Sequence, residues 1–333
     1  MKPEIEKIPE IRRENLPSTL PSEGAIRSFG MNEHAYHPDM WELEYVAYRY
    51  LGGMTDDALI QRYQSLVHSM NSFISPARDV VPIVSYQGSW YWYRKEHQTR
   101  MEFAIRGLDP PSIPILPIET KVWTSPNSVP NGTEVIFRYG KREYMRQLVD
   151  EGKVRFAPAQ AYDDAQHNIA RRDEELRKHR VMAGRYTKIS TESGESLPII
   201  GDVTKTVSGA NYHLVCFSCV WDEQLFSAFE ADTCLIVTNP DEFGRRIERA
   251  GKQVFRGWLF HHNPVQYFDP YEMRQNEYFD AGMSKDFQFA YQNEYRLLWS
   301  QLNRDPVEGH QFVDIGPSRD IMKMYDIQGH EVT

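Results

Sequence analysis

Apolar and polar residues alternate most clearly from Lys285 to Trp299. The odd positions (Phe287, Phe289, Tyr291, Asn293, Tyr295, Leu297, Trp299) are largely aromatic or apolar, and the even ones include Gln288, Gln292, Glu294 and Arg296. A period of two predicts one half-buried strand. On such a strand Gln292 and Glu294 share a face, roughly 7 Å apart at about 3.3 Å of rise per residue. A carboxylate and an amide so displayed serve either as a reaction centre or as the wet face of an edge strand.

Elsewhere the pattern alternates between helix and strand. Trp41, Tyr45, Tyr48 and Leu51 form one helical stripe, broken at Gly52-Gly53, and Leu59, Tyr63, Leu66, Val67 and Met70 form a second after a cap at Thr55. Val80 to Tyr93 reads as extended. Six prolines between Asp109 and Pro130 mark a boundary, giving an N-terminal helical and aromatic region (1–130) and a second domain (131–333). In the second, Val135–Tyr139, Val154–Ala157, Tyr212–Val220, Thr233–Thr238, Val254–Phe260, Val265–Phe268 and Phe312–Ile315 read as strands. Lys141–Glu151, stopped by Gly152, and a segment opening at Asn239-Pro240 read as helices, as do the charged run 163–180 and a short stretch after Pro317. Residues 1–36 read as a loosely packed polar arm. Strands outnumber helices and the connections are irregular, so the fold class is α+β.

With 333 residues, 41% hydrophobic and 26% charged, the chain has enough material for a large core. A net charge of −9 gives no bulk attraction for nucleic acid, although a local basic patch stays open. The aromatic share of 13% supplies core area and also the rings that stack on bases or nicotinamide. Cys216 and Cys219 lie in an apolar run and read as buried thiols, suited to a reducing compartment. Met1–Pro21 lacks a signal-like apolar core and no stretch reaches membrane-span length. The expectation is a cytoplasmic protein with no membrane partner.

No phosphate-loop, dinucleotide-fingerprint, zinc-helix or nucleophile-elbow motif occurs. His261 and His262, adjacent on a strand, point to opposite faces and do not chelate one metal together. Three strand-borne polar positions remain: Arg138 in Phe-Arg-Tyr-Gly, Ser218 in Cys-Phe-Ser, and Glu294 in Gln-x-Glu.

In that order they resemble the Arg-Ser-Glu class of ADP-ribosyltransferases, in its Gln-x-Glu subgroup. The same runs look like an uncharacterised bacterial domain family associated with defence loci, over about residues 133–320. Where the class has Ser-Thr-Ser, this chain follows Ser218 with Cys219. The resemblance implies an ADP-ribosyltransferase-like mixed or antiparallel sheet with flanking helices, and NAD as substrate with no metal. Glu294 would stabilise the ribosyl cation, buttressed by Ser218, and Gln292 would hold the acceptor. Arg138 and Tyr139, with Ser218, would bind NAD, and Tyr278 or Phe279 would stack on the acceptor. It further implies a toxin or anti-phage effector acting on nucleic acid (RNA ahead of DNA) or protein, with an antitoxin or inhibitor as a possible partner. Two rivals stand beside this reading. One is a binding module whose even strand face is merely solvated. The other is a metal-dependent nuclease using Glu294 with Asp286 or Asp232.

Overall fold

The computed structural model describes residues 38–72, 89–115, 126, 134–163, 175–184, 187–271, 280–301 and 309–333. The chain is a mixed α+β protein with an antiparallel sheet and several helices.

It begins with α1 (Pro38–Tyr48) and α2 (Asp56–Ser72), as the two stripes predict. Thr55 Oγ1 accepts the Ala58 amide at 3.3 Å, and Leu59, Tyr63, Leu66, Val67 and Met70 are buried, whereas Tyr48 is exposed. α3 (Ser89–Arg106) follows. The Val80–Tyr93 reading is corrected here: from Ser89 onward the chain is helical. Trp92 and Tyr93 are core residues of that helix, because packing against α1, α2 and the rest of the chain overrides the strand preference of an aromatic run.

A nine-stranded sheet runs through the rest of the chain. β1 (Ile136–Gly140) leads into α4 (Arg142–Glu151), which ends at Gly152 with φ 70, the left-handed turn that glycine adopts without strain. β2 (Lys153–Pro158) and a 3-10 turn (Ala159–Asp163) come next. Of the charged run, residues 164–174 lie outside the described residues. Its end is not helix but β3 (Arg177–Met182), which pairs with β6 (Val203–Ser208) as a two-stranded arm. Between them lie the short β4 (Ile189–Ser190) and β5 (Ser196–Leu197). β7 (Tyr212–Ser218) is central, as its apolar run predicts. α5 (Glu223–Ala228), β8 (Thr233–Val237) and α6 (Pro240–Gly251) follow, α6 capped by Asn239 Oδ1 on the Glu242 amide at 3.0 Å.

The strand expected at Val254 begins only at Leu259, as β9 (Leu259–Pro264), and is followed by β10 (Gln266–Phe268). The Lys285–Trp299 stretch is not one strand. It divides into β11 (Ser284–Asp286), a 3-10 segment (Phe287–Gln292), Asn293 at φ 43, and β12 (Glu294–Ser300). After β13 (Gln311–Asp314), β14 (Met322–Tyr325) and β15 (Glu331–Val332) close the sheet where a helix was expected. β14 finds an open edge, pairing with β8 through Met322 opposite Val237.

Helices cover both faces. Met145, Leu148 and Val149 of α4 and Phe243 and Ile247 of α6 share a cluster with Val215, Phe217, Leu235, Tyr295 and Leu297. Leu225 and Phe226 of α5 pack against Phe137 and Ile236. A third cluster joins Leu66, Met70, Trp92 and Tyr93 of α2 and α3 to Val265, Tyr267, Phe287 and Phe289. The helical region therefore rests directly on the segment that precedes Glu294. Among the described residues no helix is long and apolar enough to cross a membrane.

Candidate functional site

β7 is the branch point of the sheet. Along one edge it pairs with β12 over its full length, from Ser300 opposite Tyr212 to Glu294 opposite Ser218. Its other edge is shared: β2 pairs at Leu214 and His213, and β1 pairs at Ser218. Residues 215–217 fall between these two ladders, a gap of roughly 10 Å at about 3.3 Å per residue. A cavity of about 470 Å³ is lined by residues from both lips of this gap and by Ser218, Lys285, Gln292 and Glu294. That volume lies in the range of small-molecule sites.

Arg138 stands at the gap. Its Nη1 donates to the Cys216 carbonyl at 3.2 Å, and its guanidinium carbon lies 5.3 Å from the Phe217 ring centre. Burial lowers its pKa, but an arginine keeps its charge through such a shift. Phe137, Ser218 and Glu294 lie in one row across β1, β7 and β12, with Arg138 one residue along. The sequence-expected trio thus comes from three adjacent strands and lines one cavity.

Glu294 is buried, and so is Gln292. The wet-face reading is corrected by this, because Arg296 and Leu298, also on the even face, are buried too. β12 is an interior strand between β7 and β9. Glu294 Oε1 accepts from Arg296 Nε at 2.6 Å, and Oε2 accepts from Lys285 Nζ at 2.7 Å. Desolvation alone would raise the carboxyl pKa. Arg296 and Lys285 outweigh it and hold the group well below the usual carboxylate range. Arg296 in turn makes a two-pronged pair with Glu175, at 2.8 and 2.6 Å, and donates to the Gly282 carbonyl at 2.7 Å. Tyr212 hydroxyl donates to Glu175 at 3.0 Å, and Lys178 Nζ lies 3.7 Å from the same carboxylate. Charges of both signs thus alternate along Glu175, Arg296, Glu294 and Lys285, which is how a buried carboxylate is kept ionised.

Gln292 reaches Glu294 by a different route from the expected strand spacing. Asn293 turns the chain in a left-handed conformation, and Lys285 Nζ donates to Gln292 Oε1 at 3.0 Å as well as to Glu294. Ser218 departs from its expected role. Its hydroxyl donates to the Gln292 carbonyl at 2.7 Å and accepts the Val220 amide at 3.2 Å, rather than bonding the Glu294 carboxylate across the ladder. Tyr139 lines the cavity, but its hydroxyl donates to the Val220 carbonyl and accepts the Asp222 amide, both at 2.8 Å. Tyr278 and Phe279 lie outside the described residues.

Lys285, Arg296, Glu175 and Tyr162 were missed by sequence reasoning. Arg296 carried a usable signal, since Glu-x-Arg on a strand puts opposite charges on one face. Glu175 carried none, because its partner is far away in sequence. Tyr162, on the 3-10 turn after β2, lines the cavity among Arg138, Cys216, Glu175 and Glu294. Burial pushes the Cys216 thiol well up and Cys219 to about 12, so both are protonated.

The two aspartates of the nuclease reading each accept a backbone amide. Asp286 accepts the Gln288 amide at 3.0 Å, and Asp232 accepts the Arg142 amide at 2.7 Å. Among the described residues no group of three or more His, Cys, Asp or Glu could hold a metal ion. His262 bonds the Tyr295 hydroxyl at 2.7 Å, and His261 is exposed. Comparisons with family models, curated proteins and solved structures gave no match to this chain.

Proposed function

We propose that the chain is a mono-ADP-ribosyltransferase that uses NAD as donor and a nucleic acid or protein as acceptor. One observation carries the reading: Arg138, Ser218 and Glu294 come from adjacent strands and line one cavity of nucleotide-compatible size. In the proposed reaction the bond between nicotinamide and ribose C1′ breaks, and its electron pair leaves with nicotinamide. An acceptor atom then bonds to C1′ and releases its proton to solvent. Positive charge builds on the ribose between these events, and fixed negative charge nearby lowers that barrier.

The residues fit the roles unevenly. Glu294, held ionised, is a weak proton acceptor and suits electrostatic stabilisation and acceptance of a ribose hydroxyl. Each carboxylate oxygen uses one of its acceptor positions on Lys285 or Arg296, which leaves capacity for a ligand hydroxyl. Arg138 offers the remaining edges of its guanidinium to a phosphate. Ser218 acts at one remove, by pinning the Gln292–Glu294 turn. A toxic or anti-phage role with a restraining inhibitor rests on the resemblance of the motifs alone.

One observation favours a second reading, a nucleotide-binding module without chemistry: both Glu294 oxygens already meet a cation. Incubating the protein in bacterial lysate with NAD labelled on the adenylate phosphate separates the two. The transferase transfers label, and Arg138→Ala and Glu294→Gln each lose it by on the order of a hundredfold or more. Binding of NAD without transfer or NAD consumption supports the module, and absence of both overturns the donor assignment.

A further inference from the structure

Tyr144 and Phe312 are the most exposed aromatic side chains among the described residues, at 58% and 56%, and both line the same cavity. Tyr144 lies in the first turn of α4 and Phe312 on β13, so two separate elements contribute exposed rings to its lining. Leaving large rings in water at a cavity mouth forgoes burial that apolar side chains ordinarily gain on folding, and such rings mark a binding surface when grouped.

Their neighbours supply positive charge. Phe312 stands opposite Arg155 in the β2–β13 ladder, on the outward face of a strand whose alternate residues Val154 and Phe156 are buried. Lys141 and His310 line the same opening. Lys153 also lines it but is held by Glu151 at 2.7 Å, with Asp314 beside it; the acidic lining residues are Glu230 and the paired Glu175 and Glu294. The cationic bias is local, in a chain whose net charge is −9.

We propose that this rim binds single-stranded nucleic acid, with bases stacked on Tyr144 and Phe312 and backbone phosphates met by Arg155 and Lys141. Rings interleaved with cations are what a sequence-tolerant strand-binding surface needs. The rings face outward, as suits a strand lying across the opening better than a small ligand enclosed within it. A rigid duplex, with its bases already stacked on each other, has no free base face to offer. The inference names the acceptor class and rests on the transferase reading for its meaning, although binding itself needs no NAD.

The test uses the full chain, a fluorescently labelled 12-nucleotide RNA, its DNA counterpart, a matching duplex and AMP as competitor, all without NAD. Binding of the single strands is expected, with Tyr144→Ala and Phe312→Ala each weakening it about tenfold. Arg155→Ala weakens it too and makes the salt slope shallower by about 0.7. Unchanged melting of these surface variants shows that the loss is not unfolding. Three results overturn the proposal: no binding, binding indifferent to the rim substitutions, or AMP displacing the strand at equal affinity. Since label transfer is not the readout, failure of the transferase reading and failure of this one are told apart.

Discussion

Lys285 Nζ lies 2.7 Å from Glu294 Oε2, and the same ammonium holds Gln292 Oε1 at 3.0 Å. One cation therefore ties the two polar side chains of the Gln-x-Glu motif together. Lys285→Met should cost about 3–5 kcal/mol, because it leaves buried Glu294 with Arg296 alone. Adding Glu294→Gln should recover part of that loss. Urea unfolding of the two single variants and the double variant measures the coupling, and strict additivity would contradict it.

The same pairing fixes a pH profile. The Glu294 carboxyl is held well below its usual value, so it stays ionised throughout pH 5–8, and its native-state stabilisation is lost only in stronger acid. If the chain transfers ADP-ribose, the rate should show no acid limb from Glu294 between pH 8 and 5. Lys285→Met removes a cation and moves that limb upward. Initial rates across this range, for both proteins, decide the matter.

Ser218→Ala should cost about 1–3 kcal/mol, since the Gln292 carbonyl and Val220 amide lose a buried partner. It should leave the Glu294 ionisation unchanged, because no Ser218–Glu294 hydrogen bond exists. Unfolding measurements and a carboxyl titration by NMR read the two effects separately.

Glu96 on α3 behaves in the opposite sense. Arg100 Nε lies 3.9 Å from its Oε1, and burial raises its pKa to about 7, with Arg100 and Tyr63 offsetting only part. The unfolded chain ionises Glu96 near its ordinary value, while the native state keeps the proton. Stability therefore falls as pH rises from about 4.5 to 7, by about 3 kcal/mol, and levels off above. Glu96→Gln should match wild type near pH 5 and exceed it at pH 8. Urea midpoints at those two pH values check the sign.

Gly152→Ala should destabilise by at least about 2 kcal/mol. The residue sits at φ 70, and an added Cβ would collide with the Gly316 carbonyl oxygen. Thermal melting of the variant is the measurement.

Local chemistry was readable wherever it was self-contained. Thr55, Gly152 and Asn239 announced helix ends because a cap acts within a few residues of its own position. The Lys285–Trp299 stretch misled because its aromatic spacing continues through a 3-10 segment that buries Phe287, Phe289 and Gln292 without extending. Only the left-handed Asn293 divides the two, and a period-two pattern does not register a single backbone reversal. Trp92 and Tyr93 sit in a helix because surrounding elements bury them. Among the site residues, Arg138 and Glu294 could be singled out as polar groups on apolar strands. Glu175 and Lys285 acquire meaning only when the chain folds back on itself, and no local spacing encodes that.

The gap between β1 and β2 has a consequence for how this cavity can be altered. Its two lips are successive strands joined through α4 alone, so residues 138–158 form one cassette laid over a floor made by β7. The ionic chain from Glu175 to Lys285 lies outside that cassette. Exchanging the cassette, or changing α4 by one turn, would reshape the opening and replace Arg138, Tyr144 and Arg155 together. The ionic chain beside that floor would stay intact, and ligand choice in this architecture is thereby separable from the group that faces the ligand.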